Sequence, residues 1–117
     1  MEKSILKDKS YAFAILIVKL SQLLVSKKKE YVLSKQLLRS GTAVGALIRE
    51  AEFTQSKADF IHKMSISLKE ANETLYWIDL LKDTNYIDIQ QYKIHYNLNK
   101  ELVAMLVSSI KTAKSKL

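Results

Sequence analysis

Residues 31–53 read YVLSKQLLRSGTAVGALIREAEF. Leu33, Leu37, Ser40, Val44, Leu47 and Ala51 recur here in steps of four and three. That spacing lines one face of a helix and is the seam by which helices pack side by side in bundles. The middle of the stretch is small: Ser40, Gly41, Ala43, Gly45 and Ala46. Glycine inside a helix costs about 1 kcal/mol relative to alanine. Two of them predict a compensating gain, the close approach of a neighbouring helix.

The flanking sequence repeats the pattern. Upstream, over about residues 4–28, Leu6, Phe13, Ile17, Leu20 and Leu24 fall on one helical face, and Ile5, Ala12, Leu16 and Leu23 widen it. So wide an apolar stripe predicts burial on more than one side. Downstream, over about 56–84, Ser56 is an N-cap with Asp59 three residues on, and Phe60, Met64, Leu68, Ala71, Leu75, Ile78 and Leu81 or Lys82 form a seam. A second stripe on this segment follows Lys63, Ser67, Glu70, Glu73 or Thr74, Trp77 and Leu80. It is either a second contact face, as for an oligomer, or a solvated one. Over 88–115, with Asp88 as N-cap, the seam is Tyr92, Tyr96, Asn99, Leu102 or Val103, Leu106, Ile110 and Ala113. With the quoted stretch spanning about 31–54, four helices joined by short connections predict an all-α, antiparallel up-down four-helix bundle, one domain over residues 1–117.

Composition agrees. The 117 residues include no Pro, two Gly and no Cys, and 48% are hydrophobic. A sheet protein of this length needs far more turn residues. Without Cys there is no disulfide framework, thiolate metal site or cysteine nucleophile. Charges are spread through residues 1–9, unlike a secretory signal. The longest aliphatic and Phe run, residues 12–18, is about a third of the ~20 residues needed to cross a bilayer. The expected location is cytoplasmic, with no membrane partner.

No catalytic set emerges. His62 and His95 have no second His or Cys at metal-ligand spacing, and no His stands three residues after a Glu as in di-iron bundles. The carboxylates Glu50, Glu52, Asp59, Glu70, Glu73 and Asp79 have Arg39, Arg49, Lys63 and Lys69 as ready ion-pair partners. Phosphate loops and nucleophile elbows are absent. The expectation is a protein that is not an enzyme and uses no metal or cofactor.

The net charge of +7 concentrates at the two ends of the chain: +4 over residues 1–30 and +3 over 87–117. Such an excess attracts nucleic acid or an acidic protein, and it also suits an ordinary soluble surface. The candidate nucleic-acid contacts are Lys27, Lys28, Lys29, Lys35, Arg39, Arg49, Lys111, Lys114 and Lys116. Lys27–Lys29 also complement the negative end of the first helix. Each arginine fork fits a carboxylate as well as a phosphate, with Glu50, Glu70 or Glu73 as the alternative partners.

The quoted stretch and residues 55–78, QSKADFIHKMSISLKEANETLYWI, together carry a resemblance. They look like the second and third helices of the four-helix-bundle proteins related to large-subunit ribosomal RNA intervening-sequence proteins. This family is related to the accessory variability determinant of diversity-generating retroelements. The resemblance implies a ring-like homopentamer, nucleic-acid binding without marked sequence preference, and association with a reverse transcriptase. It also implies that a ribosomal label would describe where relatives' genes sit, within ribosomal RNA genes. Gln36, Arg39, Ser40, Glu50, Lys57, Asp59, Phe60, Lys63, Glu70, Glu73 and Trp77 match its pattern, read first as structural and interface residues. One departure marks a variant branch: many members have Asn-Ile just ahead of Ala-Glu-Gly, whereas this chain has LIREAE over 47–52. The competing class is a protein-binding module, such as the helical partner of a nucleotidyltransferase, with no nucleic-acid role.

Overall fold

The computed structural model describes residues 4–117; residues 1–3, where the stretch read against a secretory signal begins, lie outside the described residues. Four helices follow one another, α1 (Ile5–Lys28), α2 (Leu33–Ala51), α3 (Lys57–Asp83) and α4 (Ile89–Ser115), joined by connections of four, five and five residues. Connections this short make consecutive helices antiparallel neighbours. Each helix packs on the next and α1 meets α4, so the four close a square around one core. The bundle measures 47 × 23 × 20 Å, close to the ~40 Å expected of its 27-residue helices.

Local chemistry sets the helix ends. Ser4, Ser56 and Asp88 cap α1, α3 and α4 by accepting from the N–H three residues on, and Asp88 with Gln91 completes a reciprocal capping box. α2 begins at Leu33, two residues later than its sequence suggests, because its cap is unusual. The buried Glu30 carboxylate accepts from the N–H of Ser34 (2.8 Å) and Val32 (3.3 Å), and the Ser34 hydroxyl donates back to the Glu30 carbonyl. With no glycine at the helix exits, Lys29 and Asn85 take the left-handed turns, at φ 57° and 67°.

Phe13, Ile17, Leu24, Leu37, Val44, Ala71, Ile78, Leu81, Leu102 and Leu106 are fully enclosed at the core. The α1 seam falls where the periodicity places it, and so does the α4 seam from Asn99 onward; at the start of α4 the buried residue is His95, and Tyr92 and Tyr96 are half-buried. In α2 the deepest residues are Leu37, Ser40, Gly41, Val44, Ile48 and Ala51; Leu33 and Leu47 are half-buried at the edge. Ser34 takes the place of Leu33 because its carbonyl receives the Ser21 hydroxyl from α1 (3.3 Å). Gly41 and Gly45 let α1 approach: a Cβ on Gly41 would lie 2.8 Å from Ile17 Cγ1 and Cγ2, and one on Gly45 would lie 3.3 Å from the Ser10 carbonyl oxygen.

The second stripe of α3 is a contact face within the chain. It packs on α2 of the same chain. Ser67 and Thr74 are fully buried; Ser67 donates to the Val44 carbonyl (2.8 Å), and Thr74 is hydrogen-bonded to Ser40 (2.9 Å). Small side chains on both helices bring the backbones close enough for hydroxyls to serve as core contacts. Around that strip Arg39 pairs with Glu70 (3.2 Å) and Glu73, Trp77 donates to Glu73 (3.0 Å), and Lys63 pairs with Glu50 (3.0 Å).

One core position has no such partner. Asn99 is fully buried in α4, and neither atom of its amide has a hydrogen-bond partner among the described residues.

Candidate functional site

Two features of the surface stand out: an apolar outer face on α1 and α2, and basic clusters at the two bundle ends. The apolar surplus read in α1 is distributed differently from expectation. Leu16 and Leu23 are half-buried, while Ile5 and Ala12 are exposed. A separate stripe, Tyr11, Ile15, Val18, Gln22 and Val25, points away from the core in steps of four and three, with Tyr11 57% and Ile15 43% exposed. This is the same seam spacing that packs helices together elsewhere in the fold. By length and composition α1 could also cross a membrane, a test that a bundle's core helix passes equally. Here one side of α1 is occupied by the core, through Leu6, Phe13, Ile17, Leu20 and Leu24.

Next to this stripe, α1 and α2 frame a hollow of about 410 Å³. Ala14, Thr42 and Ala46 contribute small side chains to it, Gly45 contributes only backbone, and Tyr11 and Phe53 give it aromatic walls. Phe53 is 78% exposed. A second hollow of about 350 Å³ continues along α1 past Ile15 and Val18 to Gln22, with Lys19 at its edge. A large apolar face on a folded domain marks a contact surface.

The nine candidate cations do not share one surface. Lys27, Lys28, Lys29 and Lys35 sit where α1 ends and α2 begins; Lys111, Lys114 and Lys116 sit at the opposite end, where α4 finishes. Arg39 is committed to Glu70 and Glu73. Arg49 lies over the Tyr11 ring, 5.4 Å from its centroid, at the rim of the first hollow. Lys29 donates to the Ser26 carbonyl. That leaves Lys27, Lys28, Lys35, Lys111, Lys114 and Lys116 with no ion pair, hydrogen bond or ring contact among the described residues, three at each end. Lys57, read first as structural, is also unpaired and exposed.

The residues matched to the family pattern mostly hold α2 to α3. Arg39, Ser40, Glu50, Lys63, Glu70, Glu73 and Trp77 form the strip already described, and Gln36 accepts from Arg39 Nε. The Asp59 N–H is held by the Ser56 cap, and Phe60 packs against the core. Glu30 and the outer stripe of α1 escaped sequence reading. For the stripe, the steps from Tyr11 to Val25 were a visible signal.

No group of three or more His, Asp or Glu among the described residues is placed to hold a metal ion. Among the described residues, the one titratable group displaced from its ordinary range is Tyr92. Partial burial and donation of its hydroxyl to Asp79 (2.9 Å) push its phenol up to about 12. The unfolded chain releases this proton near pH 10, before the folded protein does. The contribution to stability is therefore intact below pH 10 and is lost as pH rises through about 12. Urea unfolding from pH 9 to 12 should show the wild type losing an advantage over Tyr92→Phe across that window. A constant difference would show that the phenol does not titrate as described.

No curated protein matches the chain. Among solved structures it resembles a protein of unknown function of the S23 ribosomal protein family from Bacteroides thetaiotaomicron VPI-5482. The two are 55% identical, with a TM-score of 0.91 over 92% of this chain and 99% of that one. Residues 2–108 match the family described as 23S rRNA-intervening sequence protein. The match over residues 2–108, with the 55% identity across 92% of the chain, places this four-helix bundle in the 23S rRNA-intervening sequence protein family.

Proposed function

We propose that this chain is a non-enzymatic cytoplasmic scaffold that assembles with copies of itself, as a homopentameric ring, and presents basic rims to nucleic acid as an accessory protein. The observation that carries the reading is the outer stripe of α1. It repeats the spacing of a packed helical seam and carries no acidic residue from Tyr11 to Val25. A helix of a second copy is the occupant that such a seam fits. The family resemblance supplies the ring and its number, and a reverse transcriptase as the protein partner.

Assembly and binding are linked by geometry. Three unpaired lysines at one end of one bundle are a weak attractor. A ring with the bundle axes along its symmetry axis would gather the Lys27, Lys28 and Lys35 of every copy on one rim and the Lys111, Lys114 and Lys116 on the other. Contacts of this kind are to phosphate, so they carry little sequence preference and weaken steeply with salt.

The test is the double substitution Ile15→Glu with Val18→Glu. Both side chains are exposed in the protomer, at 43% and 37%, so the bundle should keep its helicity. Two carboxylates buried without partners cost several kcal/mol at each contact. Sedimentation velocity should show the variant as a folded single protomer while the wild type sediments as the larger species. Unchanged sedimentation would remove this face from the interface.

A further inference from the structure

We propose that the hollow between the start of α3 and the end of α4 is a phosphate-binding site, and that it holds the backbone of a single-stranded nucleic acid. The hollow is about 470 Å³ and open to solvent, and it brings together Lys57, Lys116, Ser108, Ser109, Thr112 and Phe60. Both ammonium groups are unpaired among the described residues. Nearby lysines behave otherwise: Lys7 is bound to Glu52, Lys9 to Glu101 and Lys63 to Glu50.

Lys57 has no structural reason to be where it is. It is the first residue of a 27-residue helix, and a cation at the positive end of the helix dipole is unfavourable. Lys116 differs, since it follows the end of α4, where the dipole favours cations. Helix stability has no use for the Lys57 charge, and an anion in the hollow would neutralise it.

The hydroxyls point the same way. Thr42, Thr74 and Thr84 return their hydroxyl protons to helical carbonyls. Ser108, Ser109 and Thr112 make no such bond among the described residues and keep their donors for the hollow. Two ammonium groups and three hydroxyls form a donor set with no carboxylate among the lining residues, which is the chemistry of an oxyanion receptor. Phe60 adds a ring. Inorganic phosphate has no use for it, whereas a base attached to the bound phosphate can stack on it. The choice of nucleic acid as the phosphate source rests on the proposed function; the phosphate site itself does not.

The probes are a fluorescein-labelled ten-nucleotide oligouridylate, followed by anisotropy, and inorganic phosphate, followed by calorimetry and by competition. Both are used with the full chain at about 50 mM salt, where phosphate contacts are strong. The variants are Lys57→Ala with Lys116→Ala, and as a control of equal charge Lys69→Ala with Lys93→Ala, which belong to neither the hollow nor the two rims. All four positions are exposed, so folding should be undisturbed.

The expected result is oligonucleotide binding that phosphate competes for, weakened about tenfold or more by the first variant and much less by the control. Equal weakening by both variants would overturn the site and leave general nucleic-acid binding standing. Phosphate bound by the wild type and lost in the first variant, with no oligonucleotide bound, would uphold the site and discard the nucleic acid. Binding of neither probe would overturn the proposal.

Discussion

Gly41→Ala is expected to destabilise the protein by about 1–2 kcal/mol, although alanine is the better helix former by about 1 kcal/mol. The new Cβ would lie 2.8 Å from both Ile17 Cγ atoms and 3.3 Å from Ile17 Cβ. Ile17 is fully enclosed and branched at Cβ, so it cannot swing clear by rotating a flexible end. Either α1 and α2 separate or Ile17 leaves its rotamer, and overpacking of this kind costs about 1–3 kcal/mol. Ile17→Ala alone should cost about 2–5 kcal/mol by opening a cavity. In that background Gly41→Ala should become neutral or stabilising, since the Cγ atoms it would strike are gone. Urea denaturation of the four proteins gives the coupling. Additive losses would mean that the two helices are not held apart by these atoms.

Asn99→Leu is expected to act in the opposite direction, raising stability by about 1–3 kcal/mol. A buried polar group without a partner costs about that much, and an apolar group of the same shape removes the cost. Leucine has the same branching as asparagine, and Asn99 shares its helix with the enclosed Leu102 and Leu106. Thermal unfolding should show a clear rise in Tm. A fall would mean that the amide is satisfied in solution, by water or by rearrangement of the core.

Asn99 also shows how far the sequence could be read. Its position on the α4 seam followed from periodicity, because a helix buries whatever stands at those intervals. That neither amide atom would find a partner did not follow, since this depends on what three other helices present. The same division holds along the chain. Leu6, Phe13, Ile17, Leu20 and Leu24 were legible as the α1 core because large aliphatic side chains at helical spacing have one use. Leu47 and Ile48 were not separable: both are aliphatic, and the face turns between them. Ser67 and Thr74 looked like surface because hydroxyls are usually solvated. They are buried because Ser40, Gly41 and Gly45 in α2 make room for close helix packing. Glu30 gave no signal as a cap, because it acts from three residues before α2 begins.

The surface was the less legible part. Net charge located an excess at both chain ends, but only the antiparallel path of the helices shows that Lys27–Lys29 and Lys111–Lys116 lie at opposite ends of a 47 Å bundle. Arg39 was equally suited to phosphate and carboxylate on sequence grounds, and the register of α3 against α2 gives it to Glu70 and Glu73. Unpaired cations are therefore fewer than the sequence suggests, and an assembly of copies is what would bring enough of them together.

Static light scattering of the wild-type protein at micromolar concentration tests this self-assembly most directly. The expected result is a homopentamer, with a mass about five times the 13.4 kDa of one chain. A mass of one chain, or one that stops at a dimer, would contradict it.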